Sequence, residues 1–179
     1  MNKSKLEKIL KTLENQIEKR KSFQLSFKFR KILTSFFGAF IAINILAIFC
    51  IYKDQSLLIA PFVASTVILF GIEKSPLAQP RNLILGNLVG AISAFFSFNC
   101  FGNNSFSCGL AVAIAIALGQ LLRCLHPPAG AVALLGVISK ANLKFVLYPV
   151  LLGSIALVIW GIIFNRIFNK KPIYPVHWI

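Results

Sequence analysis

His126-Pro127-Pro128 leads straight into Ala129-Gly130-Ala131-Val132-Ala133-Leu134-Leu135-Gly136, which puts a helix break and a helix start inside a stretch without charge from Cys124 to Ser139. Proline lacks a backbone N–H and holds φ near the helical value, so it belongs in a first helical turn, where that N–H has no partner in any case. The spacing predicts a new helix here, with the N–H groups of Ala129, Gly130 and Ala131 aimed back across the break. A helix start presents unpaired donors and about half a positive charge, which suits an anion without requiring a formal cation. Gly130 and the alanines leave the backbone open to approach. His126 is the one imidazole in the apolar region, and an ionisable group at membrane depth is a functional candidate by default.

A second start of the same kind lies at Pro61-Phe62-Val63-Ala64-Ser65-Thr66. There the N–H groups of Val63, Ala64 and Ser65 and the hydroxyls of Ser65 and Thr66 are available. Gln79, Arg81 and Arg123 are polar side chains close to the two breaks in sequence. The expected substrate-binding set is therefore His126, Ala129, Gly130, Ala131, Arg123, Ser65, Thr66, Gln79 and Arg81, with Pro61, Pro127 and Pro128 as the structural breaks. Each has a second reading. Arg123 also suits a helix C-terminus at a membrane interface, His126 also suits capping of exposed carbonyls, and Ser65, Thr66 and the glycines also suit close helix packing.

The elements that must position these groups follow from composition. The 179 residues are 57% hydrophobic and 13% charged, with mean hydropathy +0.77, well above the ~45–50% apolar usage of soluble domains. The chain reads as an all-α polytopic membrane protein. Four windows, 33–52, 82–99, 108–125 and 145–168, are expected to meet the ~20 apolar residues that a span needs. Two shorter ones, 57–72 and 127–139, each open near a proline. A secretory signal peptide is not expected, because the first apolar run follows about thirty polar residues and lacks a small-residue cleavage pattern.

The two short segments occupy matching places. Pro61 to Gly71 resembles Pro127 to Gly136 with one gap, and each is followed by a polar connection and a full span, carrying Leu85-Gly86-Asn87 in one copy and Leu152-Gly153-Ser154 in the other. The chain thus reads as two weakly similar three-helix units. Short, Pro- or Gly-interrupted segments at corresponding places in two halves point to a transporter site. With six crossings and the N-terminus inside, Lys74, Arg81, Arg123, Arg166, Lys170 and Lys171 stay inside, as the positive-inside rule prefers. If the two short segments are re-entrant, Lys74, Arg81 and Arg123 fall outside. Length pulls that way, since Ala129 to Ser139 spans about 16 Å of a core of about 30 Å. Six crossings are expected, with four spans plus two re-entrant half-helices as the alternative.

Ten of the 19 Lys and Arg residues precede Ile32, so the net charge of +14 is an orientation signal rather than a nucleic-acid surface. Within that basic segment, residues 1–31, Ser4-Lys5-Leu6-Glu7 fits a capping box, and Leu6, Ile9, Leu10, Leu13 and Ile17 recur at helical spacing. An in-plane helix on anionic lipid is expected, with a coiled coil or a solvated tail as alternatives. A lone short helix offers nothing to hold it on a duplex, so DNA binding is not expected. The membrane domain would then be 32–168, with a short tail at 169–179. Cys50, Cys100, Cys108 and Cys124 lack metal-site spacing; no metal or cofactor is expected, and Cys100 and Cys108 are equally readable as a disulfide or as free thiols. Small size suggests a homo-oligomer.

Ser75-Pro76-Leu77-Ala78-Gln79-Pro80-Arg81-Asn82, together with His126-Pro127-Pro128-Ala129-Gly130-Ala131, resembles the HPP family of small integral membrane proteins. The resemblance covers most of residues 30–168. Members from photosynthetic organisms have been linked to nitrite transport, so it implies transport of a small inorganic anion, nitrite first, across the plasma (inner) membrane with the N-terminus cytoplasmic. An enzyme is not expected, because the apolar segments contain no Asp or Glu and a single His, which leaves no acid/base pair. A non-transporting accessory or scaffold subunit is the alternative.

Overall fold

Side chains and prolines place the helix ends. Asn104 accepts from the Ser107 N–H at 2.9 Å and starts one helix; Asn142 does the same for Phe145 at 3.0 Å and starts another. Pro80 and Pro128 are the first residues of two more. In the computed structural model, which describes residues 11–13, 16, 25–52, 59–168 and 174–178, six helices result: α1 Phe29–Tyr52, α2 Ile59–Gly71, α3 Pro80–Phe101, α4 Ser105–Leu121, α5 Pro128–Ile138 and α6 Leu143–Phe168. A short 3-10 turn, Pro76–Ala78, precedes α3. No strand occurs among the described residues. The chain divides into two compact units, 1–33 and 34–179. The amphipathic segment expected at residues 4–17 lies outside the described residues except for 11–13 and 16, which are helical.

Three helices, α1, α3 and α6, are long and apolar enough to span a membrane by length and composition. The window 108–125, expected as a fourth full span, is instead the 17-residue α4. It stops early because the chain turns: the Cys124 N–H reaches the Gly119 carbonyl at 2.9 Å and Arg123 N–H the Gln120 carbonyl at 3.1 Å, with Arg123 at φ 54°. That is a Schellman closure, which needs a left-handed residue just past the helix. α5 ends in the same way, with Ala141 bonded to Gly136, Lys140 to Val137, and Lys140 at φ 55°.

α6 is not straight. Tyr148 adopts an extended conformation (φ −139°, ψ 115°) ahead of Pro149, inside a wide turn over Val146–Leu151. Proline removes a ladder donor and clashes with the preceding turn, which accounts for the kink.

α3 and α5 pack closest, through a stripe without side chains. A Cβ added to Gly86 would lie 2.5 Å from His126 Cβ, one on Gly90 would run into the Ala129 carbonyl, and one on Gly136 would lie 2.5 Å from Ala94 Cβ. Lipid tails give no hydrophobic drive between spans, so small residues that bring backbones together supply the van der Waals contact instead. Ala91, Ala94, Ala115, Val132, Ala133 and Val137 form the apolar core here. A second core joins α1, α2 and α6 through Ala42, Leu46, Phe62, Leu69, Leu157 and Phe164. α1 is further tied by Ser35 donating to the Phe70 carbonyl at 2.6 Å and by Trp160 Nε1 donating to Gly38 at 3.1 Å.

Named contacts fix the direction of each helix. Arg81, at the start of α3, bonds the Leu122 carbonyl just past α4, and Asn103, just past α3, bonds the Ile138 carbonyl at the end of α5. The connections 72–79 and 122–127 therefore share one end of the bundle with the tail, and 102–104 and 139–142 share the other. α5 starts level with Gly90, about 15 Å in from Pro80, and runs to the far end of the bundle, with 11 residues against the ~20 that a membrane span needs. α2 packs on α6 in the same direction, its Phe62 ring 2.5 Å from where a Gly153 Cβ would stand and its Leu69 beside Gly161, and so runs opposite to α5. Both short helices begin inside the bundle, from opposite ends.

A buried polar node where the two interrupted helices meet

Residues 72–82 and 122–127 are held together by side-chain-to-backbone bonds that run in both directions. Asn82 donates to the Leu125 carbonyl at 2.9 Å, Arg81 to Leu122 at 3.1 Å, and the Leu77 carbonyl accepts from His126 Nδ1 at 2.9 Å. Ser75 shapes the first partner by accepting from the Leu77 N–H at 3.2 Å. The two sequence motifs are thus the two halves of one knot.

At its centre His126, 2% exposed, places Nε2 2.9 Å from the Ser65 hydroxyl of α2. A carbonyl oxygen can only accept, so Nδ1 carries a proton in every state of the ring. Ser65 has a single hydroxyl proton and two acceptors for it, the Pro61 carbonyl at 3.0 Å and the imidazole Nε2. With a neutral ring the proton serves one of them. With a charged ring Nε2 donates to Ser65, Ser65 donates to Pro61, and the chain from Leu77 to Pro61 is complete. Thr66, one residue on, turns away and bonds the Phe62 carbonyl at 2.7 Å.

The structure assembles part of the expected set. His126 and Ser65 meet, and Gln79 and Arg81 sit at the same end, but Gln79 turns toward its own connection and the tail. Its amide donates to the Glu73 and Ser75 carbonyls at 2.9 and 3.0 Å and its oxygen accepts from the Val176 N–H at 2.8 Å. Arg123 lies outside the node with its side chain exposed, and its backbone ends α4. Ala131 is half-buried within the first turn of α5.

Two expectations about donors are corrected. The N–H groups of Ala129 and Gly130 do not point free across the break: they bond the His126 and Pro127 carbonyls at 2.9 and 3.2 Å, because the chain enters α5 through a tight turn at Pro127. α2 begins at Ile59 rather than at Pro61, so the N–H groups of Val63, Ala64 and Ser65 lie within the helical ladder. Side chains, not backbone donors, face each other in this node.

Asn82 and Leu77 are not legible in the sequence as partners of the second motif, because a carbonyl's role carries no residue signature. Asn87 and Ser154 marked the repeat but not a contact; they bond each other at 3.1 Å, and the Asn87 Oδ1 is buried without a partner. Within the short tail, Tyr174 is 2% exposed and belongs to the second core, where burial pushes its phenol pKa up. Cys100, Cys108 and Cys124 are free thiols, so the pairing left open between the first two is not made. No group of three metal-ligating side chains occurs among the described residues.

Among the described residues, six helices that alternate in direction along the chain, with α2 and α5 starting inside the bundle, define a polytopic helical membrane protein built around an interrupted-helix node. The profile of the HPP transmembrane region matches residues 24–175, and the chain belongs to the HPP family. Two transmembrane proteins of Dictyostelium discoideum are similar to it. One is 38% identical over 133 residues, 70% of this chain and 46% of the relative; the other is 36% identical over 156 residues, 80% of this chain and 50% of the relative. The chain spans about half the length of these curated relatives. No solved structure matches it.

Proposed function

We propose that the protein is a transporter of a small inorganic anion, with nitrite as the first substrate to test, and that His126 and Ser65 form its substrate contact. The observation that carries this is the 2.9 Å contact between His126 Nε2 and Ser65 Oγ, which joins the two helices that start inside the bundle. Helix starts inside a membrane aim positive dipole ends at the interior. An anion entering between α2 and α5 would replace the two bonds of the charged-ring chain, Nε2 to Ser65 and Ser65 to Pro61, with one from the serine hydroxyl and one from Nε2. The apolar segments carry no carboxylate to repel it, and transport rather than catalysis suits a node without an acid/base pair. The end bearing Lys74, Arg81, Arg123 and Arg166 is then cytoplasmic in the plasma (inner) membrane, against Lys140 and Lys144 at the other.

A non-transporting accessory role is favoured by one observation. The Ala129 and Gly130 N–H groups and the side chains of Gln79, Arg81 and Asn82 are all engaged with protein backbone. Nitrite uptake into liposomes containing only this protein, with nitrate, chloride and formate as competitors, separates the two. Saturable uptake above protein-free vesicles supports transport, and its absence for every anion with folded protein supports the accessory role.

A further inference from the structure

We propose that the groove between the start of α3 and Trp178 is a binding site for an anionic phospholipid, with its phosphate on Arg81 and an acyl chain along Ile84 and Leu85. The groove has a volume of about 420 Å³ and is lined by Pro80, Arg81, Ile84, Leu85 and Trp178. Its far wall belongs to the tail and is fixed by Gln79, which is fully buried and accepts the Val176 N–H at 2.8 Å, while the Tyr174 N–H reaches Asn165 Oδ1 at 3.4 Å.

The lining matches the ligand from end to end. Arg81 donates one Nη2 bond to Leu122, which pins the guanidinium beside the groove, and a guanidinium has five N–H donors, enough to fork a phosphate as well. Leu85, 41% exposed, lies one turn further along α3, where a membrane span faces acyl chains. Trp178, 58% exposed, is the amphipathic ring that membrane interfaces favour. Free phosphate would use Arg81 alone and leave the Ile84, Leu85 and Trp178 walls unmatched. A phospholipid uses both parts, and one is always adjacent where α3 meets the interface. The site shares Arg81 with the knot around His126 but does not use the contact between His126 and Ser65.

Trp160 and Trp178 are the two tryptophans of the chain, so Trp160→Phe leaves Trp178 as the single reporter. In nanodiscs with equal, low mole fractions of brominated lipid, phosphatidylglycerol is expected to quench Trp178 more than phosphatidylcholine does. The expected apparent preference is about fivefold, the size associated with one basic side chain at an anionic surface. Arg81→Gln removes the preference, whereas Arg123→Gln, at the same end but outside the groove, keeps it. Millimolar glycerol phosphate does not relieve the quenching. Equal quenching by the two lipids, a preference that survives Arg81→Gln, one lost equally in Arg123→Gln, or relief by glycerol phosphate would each overturn the site. Native mass spectrometry of the unmutated chain gives a second reading, with phosphatidylglycerol adducts retained over phosphatidylcholine and lost in Arg81→Gln.

Discussion

Asn87 of α3 and Ser154 of α6 occupy corresponding positions of the two three-helix units, and they touch: Asn87 Nδ2 donates to Ser154 Oγ at 3.1 Å, with both side chains fully buried. The third helices of the two sequence repeats therefore meet at equivalent positions. The preceding residues obey the same relation at a distance. Gly86 packs on the approach to α5, and Gly153 packs on the start of α2. Each unit's third helix thus seats the short helix of the other.

That contact is expected to be energetically coupled. Interhelical hydrogen bonds in membranes average about 0.6 kcal/mol, because the unfolded chain also finds partners. A double-mutant cycle with Asn87→Ala and Ser154→Ala, read by reversible unfolding in mixed micelles, should return coupling of that order. Strict additivity would mean that the two side chains are neighbours without a bond.

The glycines of the α3/α5 seam should not be equivalent. A methyl at Gly90 meets the Ala129 carbonyl, a backbone atom that cannot swing aside, so Gly90→Ala is expected to cost at least the ~1–3 kcal/mol of overpacking. A methyl at Gly130 meets only Val112 Cγ1, at 3.8 Å, so Gly130→Ala should be neutral or stabilise by up to about 1 kcal/mol through helix propensity. Thermal unfolding of the two variants at equal detergent concentration checks the order, and equal losses would contradict this packing.

Much of the architecture was legible because lipid imposes long uncharged runs and proline imposes helix starts. Pro80 and Pro128 open α3 and α5, and the short segments do lie at matching places. What misled was local. The ends of α4 and α5 are set by basic residues in left-handed geometry, Arg123 and Lys140, where a glycine is the usual signal; hence the span expected to reach residue 125 stops at Leu121. The kink at Tyr148-Pro149 hid inside an unbroken apolar window. The node itself was half visible. His126 and Ser65 were picked separately for their chemistry, but a separation of 61 residues left nothing in the sequence to join them, and the backbone donors expected beside them are consumed by a turn.

Arg123 has a backbone role that its charge obscures. At φ 54° a side chain is strained by about 1 kcal/mol relative to glycine, and its guanidinium is exposed. Arg123→Gly is expected to hold or slightly raise the melting temperature and to leave anion uptake unchanged, since the closure onto Gly119 and Gln120 uses only backbone atoms. Arg123→Lys keeps the strain and should be mild in both assays. A severe loss of uptake with lysine would instead mark a two-donor substrate clamp.

The sharpest separation of scaffold from substrate contact lies in the two nitrogens of His126. Nδ1 holds the 72–79 connection through the Leu77 carbonyl, and Nε2 holds α2 through Ser65, both at 2.9 Å. An asparagine amide reaches about as far as Nδ1, and a glutamine amide about as far as Nε2. His126→Asn should therefore keep the bond to Leu77 and most of the stability while losing Ser65. His126→Gln should keep a partner for Ser65 while leaving the part-buried Leu77 carbonyl without its imidazole donor, which costs about 1 kcal/mol or more. If the node carries the anion, initial nitrite uptake at matched membrane abundance falls further in His126→Asn than in His126→Gln, the reverse of their order in stability. Ser65→Ala should resemble the asparagine variant. Uptake that simply follows stability across all three would assign His126 to the scaffold alone.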